Sequence, residues 1–199
     1  MFQAFMVRDF RLLWGGNLVS GLGSWLLVVA APAHVLVATG SLLATGLVVA
    51  AEYLPFLLLG PAAGVLVDRV DRRLLLIGTD VARAGAVALM FAADQAPWVV
   101  HVAVLAESVA TVVSRPAMQA HIPAVVGTGP LLSSVNALQA VVTGTVRLVG
   151  GPLGAALLVV VGFPVLVGID VATYLVSALA LAMTRSSGRP GAAGTRPSF

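Results

Sequence analysis

The stretch LLWGGNLVSGLGSWLLVVAAPAHVLVATGSLLATGLVVAA, from Leu12 to Ala51, runs for 40 residues without an Asp, Glu, Lys or Arg. A helix covers a ~30 Å hydrocarbon layer with roughly 20 mostly apolar residues. The run is therefore long enough for two crossings, and the turn formers Thr39-Gly40-Ser41 divide it. The first span is expected at Leu12–Ala38 and the second at Leu42–Val67. Outward from there the pattern repeats. A third span runs from Leu74 to Ala93 and stops at Asp94-Gln95-Ala96-Pro97. A fourth covers Trp98–Ser114, up to Arg115-Pro116, and a polar stretch follows through Ser134. The fifth is Val135–Val161, and the turn Gly162-Phe163-Pro164 leads into the sixth, Val165–Thr184. Residues 1–11 form a short amino-terminal segment, and the Ser, Gly, Pro, Ala and Arg of 185–199 are expected to be a disordered tail. The fold class is an all-α membrane protein with six transmembrane helices.

Composition agrees. The 199 residues are 59% apolar and only 10% charged, with a mean hydropathy of +1.04. A soluble domain carries about 25% charged residues. The net charge of +3 comes entirely from Arg, since all eleven cationic residues are Arg. These sit in small groups between apolar runs, the footprint of membrane topology rather than of a phosphate-binding face, so nucleic acid is excluded as a partner. Six crossings put both termini on one side. Arg8, Arg11, Arg69, Arg72, Arg73, Arg115, Arg185, Arg189 and Arg196 all fall on that side, and the loops at 39–41, 94–97 and 162–164 hold no Arg. The positive-inside rule then makes both termini cytoplasmic, in the cell (inner or plasma) membrane. Trp14 and Trp98 lie near opposite interfaces. Ala31-Pro32-Ala33 imitates a signal-peptidase site, but the apolar run before it is too long for such a leader, and a Pro-kinked helix is expected instead. With no Cys, disulfides and thiol chemistry are excluded.

The most specific segment is Gly64-Val65-Leu66-Val67-Asp68-Arg69-Val70-Asp71-Arg72-Arg73, between the second and third spans. It resembles the G-x-L-x-D-R-x-x-R-R loop of major facilitator superfamily transporters, in the place where that family carries it. Gly64 is suited to close helix approach and Asp68 to pairing with Arg or with a neighbouring helix end. Arg69, Arg72 and Arg73 hold the loop in the cytosol, with Asp71 between them, and such a charged latch can favour one of two rocking states. Phe10-Arg11-Leu12-Leu13-Trp14 and the glycine-rich first helix resemble the drug and siderophore exporters of that superfamily. So does Ser114–Pro123 after the fourth span, and so do Gly162-Phe163 and Asp170–Tyr174 in the sixth. Arg147-Leu148-Val149-Gly150-Gly151-Pro152-Leu153-Gly154 resembles the Gly-Pro antiporter motif of helix five, carried here by Gly150, Gly151, Pro152 and Gly154. The resemblance implies one six-helix half of a twelve-helix bundle, built as a three-plus-three inverted repeat. Gly60-Pro61 and Gly151-Pro152, in the second and fifth spans, suit that correspondence.

Charges inside a span cost on the order of 2.5–3.5 kcal/mol on insertion scales, so each needs a partner or a role. At 1.5 Å per residue Glu52 and Glu107 lie ~15 Å from the outer end of their spans, and Arg147 ~22 Å, within side-chain reach of that level. Glu107, with Glu52, is expected to pair with Arg147 beside the central cavity and to carry the coupling proton. Asp170 lies ~9 Å deep, shallow enough to hydrate, and either anchors helix six or meets substrate. Asp80 and Arg83, three apart, are expected to pair on one face of the third helix. The branch's helix-four Arg followed by Gln-Gly is missing, since span four carries Glu107 and no Arg before Arg115. No proton-relay role carries over from that motif. The scatter of His34, His101 and His121 gives no metal set, and no cofactor is implied. Neither Ser20-Gly21 nor Ser108 stands in an intramembrane-protease context, and there is no H-E-x-x-H, so no catalytic group is assigned.

The expected function is proton-coupled efflux of small amphipathic molecules by alternating access, with the lipid bilayer and a small-molecule substrate as partners. Half a bundle needs completion, by a second six-helix half or a homodimer. The alternative is a non-transporting six-helix fragment or accessory subunit.

Overall fold

The computed structural model describes residues 8–127 and 129–184. The proposed tail 185–199, with Arg185, Arg189 and Arg196, and the first seven residues lie outside the described residues. The described chain has six helices long and apolar enough to cross a membrane. They are α1 (Arg8–Thr39), α2 (Leu42–Val67), α3 (Arg72–Ala88, closed by a 3-10 turn Leu89–Ala92), α4 (Trp98–Val126), α5 (Pro130–Val161) and α6 (Phe163–Ala182). No strand occurs among the described residues, as hydrocarbon requires of a spanning chain that does not close a barrel.

Local chemistry sets the ends. Gly40 takes a positive φ of 64°, and Ser41 caps α2, its hydroxyl accepting from the Ala44 amide at 3.2 Å. Asp71 caps α3, its Oδ1 accepting from the Arg73 and Leu74 amides at 2.9 and 3.2 Å. Pro130 opens α5 and Pro164 lies in the first turn of α6, each after a glycine of positive φ. α1 continues through Pro32.

The connection after the fourth span differs most from the sequence expectation, and α5 already begins at Pro130 rather than Val135. The fourth helix does not end at Ser114: it runs on through Arg115, Pro116 and Pro123 to Val126, so most of the supposed polar connection is helix. Hydropathy marks where hydrocarbon ends, not where the helix ends. Pro116 and Pro123 each remove one donor from the ladder without stopping it. The extension holds because Ala117 and Ile122 are buried against Phe10, Leu13, Leu76, Val135 and Leu181.

α1 is the hub. It packs against α5 and α6, as α4 packs against α2 and α3, and α3 packs against α6. The five most extensive pairings map onto one another when helices 1-2-3 are exchanged with 4-5-6, although α5–α6 has no counterpart of similar extent in α2–α3. α2 and α5 are the least buried of the six. Two apolar cores result. One, at the end carrying Thr39–Ser41, gathers Leu26, Leu27, Val35, Val100, Leu166 and Tyr174, and the other, at the Asp68–Arg73 end, is that of Phe10 and Leu181. The polar side chains concentrate between them.

Candidate functional site

Close approach builds the site's frame. A Cβ on Gly150 would meet Trp25, one on Gly151 would meet Val29, and one on Gly154 would run into the backbone of Leu26. The Gly-Pro motif of α5 is therefore its docking edge on α1, the small-residue approach that membrane helices use. On its other side α1 offers Gly16 to Ser177 and Gly23 to Asp170 and Thr173 of α6. Gly64, expected to serve the same purpose, does not: among the described residues, a Cβ added there would meet nothing within 4 Å.

A cavity of about 1020 Å³ opens among the helices. It runs from Glu52 and Glu107 at mid-depth toward the Asp68–Arg73 end, past Arg83, Arg115 and Arg147. A smaller one of about 130 Å³ continues from the same two glutamates toward the opposite end, past Pro32, Val48 and Asp170. The two carboxylates thus stand at the shared waist of both.

Glu107 Oε1 accepts from Tyr174 Oη at 2.7 Å and from Thr111 Oγ1 at 2.8 Å. Tyr174 Oη is also 2.7 Å from Ser24 Oγ, which in turn donates to the Ser20 carbonyl at 2.9 Å. The Arg83 guanidinium lies over the Tyr174 ring, 4.7 Å from its centroid, and pairs with Asp80. That pair is the one expected from the i,i+3 spacing. The Glu107–Arg147 pair is not formed. Arg147 turns instead over the Trp25 ring at 5.4 Å, and Arg115 over Phe56 at 4.4 Å. Depth placed Arg147 at the right level; rotation about the α5 axis carried it to Trp25, beside the glycine seam. Glu52 has no ion pair among the described residues, and its backbone carbonyl receives the Ser108 hydroxyl.

Asp170 departs from the hydrated position its depth suggested. It is 1% exposed, enclosed against Gly23, with Thr173 Oγ1 donating to its carbonyl at 2.7 Å and to its Oδ1 at 3.3 Å. Depth alone does not report burial when the facing helix carries a glycine. Sequence reasoning does not single out Tyr174, Ser24 and Thr111 as members of the site. A hydroxyl in an otherwise apolar span needs a partner, and that is the signal that points to them.

At the Asp68–Arg73 turn, Arg72 Nη1 donates to the Ala120 carbonyl of α4 at 3.2 Å and stands 3.9 Å from Asp68. Arg73 Nε donates to the Leu181 carbonyl at 3.0 Å, and its Nη2 to that of Ala182. These are the last carbonyls of α6, where a cation meets both orphan acceptors and the negative end of the helix dipole. Arg69 is exposed. The histidines are dispersed. His34 stacks on Phe163 at 4.1 Å, His101 Nε2 is 2.8 Å from the Ala44 carbonyl, and His121 is buried near the turn.

Over residues 1–194 the chain matches the family described as transmembrane secretion effector. Macrolide efflux protein A of Streptococcus pyogenes is 30% identical over 181 residues, covering 88% of this chain and 44% of that protein. Macrolide efflux protein A of Enterococcus faecalis is 38% identical over 78 residues, 37% of this chain and 24% of its own length. The chain spans less than half the length of these relatives. No solved structure matches it.

Proposed function

The chain belongs to the transmembrane secretion effector family of the major facilitator superfamily, and on that footing we propose that it is one half of a proton-coupled exporter of small amphipathic molecules. The observation that carries this is the 1020 Å³ cavity running from two mid-depth glutamates to one end of the bundle. Such a cavity, its wall divided between apolar side chains such as Trp25, Phe56 and Met118 and polar or charged ones such as Glu107, Arg115 and Gln139, suits an amphipathic ligand. Alternating access would open it to either side in turn, with the Asp68–Arg73 turn, Gly64 and Asp71 included, as the cytoplasmic latch. In this reading Glu107, with Glu52, carries the proton or the substrate's polar group. Arg147 and Arg115 line the entrance, and Asp170 locks α6 to α1. The exchange symmetry of the five most extensive pairings supports a three-plus-three repeat.

The relatives' name makes macrolides the first substrates to test. In pump-deficient bacteria expressing the chain, accumulation of a radiolabelled macrolide should fall, and a protonophore should restore it. Glu107→Gln should abolish the difference; efflux unchanged in that variant removes Glu107 from the mechanism.

A second reading rests on the weak burial of α2 and α5 and on the 44% span of the relatives. The unit then transports only when a second six-helix half or a second copy closes the cavity, and alone it is a non-transporting partner subunit. Light scattering of the purified protein in detergent separates a dimer from a lone bundle.

A further inference from the structure

We propose that Tyr174 is a positioning residue for Glu107 and hands the charge state of that carboxyl to α1 through Ser24. The inference rests on the reading of Glu107 as the site's carboxyl group. Its geometry is independent of transport. Tyr174 is wholly buried, and its hydroxyl is 2.7 Å from both Glu107 Oε1 on α4 and Ser24 Oγ on α1. One phenolic hydrogen can serve only one of them.

With Glu107 ionised, Tyr174 donates to the carboxylate and accepts from Ser24. When Glu107 takes a proton from cavity water, the carboxylate's claim on that hydrogen weakens. Tyr174 then donates to Ser24 Oγ, and Ser24 donates to the Ser20 carbonyl, 2.9 Å away. The proton added to Glu107 is the one covalent change; the two hydroxyl hydrogens only rotate. The hydrogen bond that joins α4 to α6 weakens, and the one that joins α6 to α1 reverses direction. Arg83 on the Tyr174 ring and its partner Asp80 supply the charges from α3. Glu52 faces the same waist from α2, Asp170 from α6, Arg115 from α4 and Arg147 from α5. α1 contributes no charged group at this level, which suits it to receive a hydrogen bond rather than a charge.

The test is labelling of the purified full chain in detergent at neutral pH with dicyclohexylcarbodiimide, which reacts with protonated carboxyls, read by peptide mass spectrometry. Tyr174→Phe should raise labelling of Glu107 by about tenfold, the order expected when a hydrogen bond to a charged group is lost. Ser24→Ala, which leaves Tyr174 no second acceptor, should not raise it, and Glu52 labelling should stay constant in both. Labelling of Glu107 that is unchanged or lower in Tyr174→Phe overturns the proposal, as does an equal rise in Ser24→Ala or at Glu52. Unsubstituted protein gives a second route. Of its two tyrosines, Tyr174 is the one hydrogen-bonded to Glu107, so its ultraviolet difference band should shift across the pH range in which Glu107 becomes reactive. The shift should vanish in Glu107→Gln; its absence in the unsubstituted chain overturns the proposal. Efflux retained by Glu107→Gln would instead strike the transport reading and leave these spectra to stand or fall alone.

Discussion

Asp80 and Arg83 sit in the middle of the polar belt with side chains 3% and 12% exposed. Two charges removed from water need each other, and losing one leaves the other uncompensated. Arg83 also covers the Tyr174 ring, so its loss would unsettle the Glu107 cluster as well. Arg83→Leu should therefore destabilise the bundle by about 3–5 kcal/mol in thermal or denaturant unfolding in detergent, and Asp80→Leu in the same chain should restore part of that. A mutant as stable as the parent would show that water reaches the pair. This contact was legible in the sequence because both residues share one helix and a three-residue spacing fixes their face. Glu107 was not paired correctly, because its partner Tyr174 comes from another helix. Rise per residue gave the depth of Arg147 and Asp170, but nothing local gave the rotation of α5 or the closeness of α6 to Gly23.

The six elements and their order were legible from uncharged runs and turn formers, whereas the capping roles of Ser41 and Asp71 came only with the structure. The end of α4 was not, since Arg115-Pro116 looks like a stop and only the burial of Ala117 and Ile122 carries the helix past it. The glycines of α5 show how an element finds its place. Gly154 sits against the Leu26 backbone, whereas Gly144, ten residues earlier, has nothing within reach of an added Cβ. Gly154→Val should force α5 off α1 and cost about 1–3 kcal/mol or more, with loss of monodisperse protein on size exclusion. Gly144→Ala should be neutral or stabilise by up to about 1 kcal/mol through its helix preference. Equal behaviour of the two variants would mean that α5 does not dock through this edge.

At the scale of the molecule, the account depends on six crossings with the arginine-bearing turn in the cytosol. Two buried clusters, one at each end, leave a cavity between them that opens toward the turn, beside the two least buried helices. An exporter loaded from the cytosol needs its cavity to open on that side in one of its states. Arginine counting across the loops predicts the sidedness, and helix geometry alone does not, since the same bundle inverted has the same contacts. The chain contains no cysteine, so a single introduced one reports its own position without background. Cys placed at Gln95, at Gly40 or at Val70 can be challenged in intact cells with a membrane-impermeant maleimide, before and after permeabilisation. The account expects Gln95→Cys and Gly40→Cys to label from outside and Val70→Cys only after permeabilisation. Labelling of Val70→Cys in intact cells, with the other two protected, would contradict it.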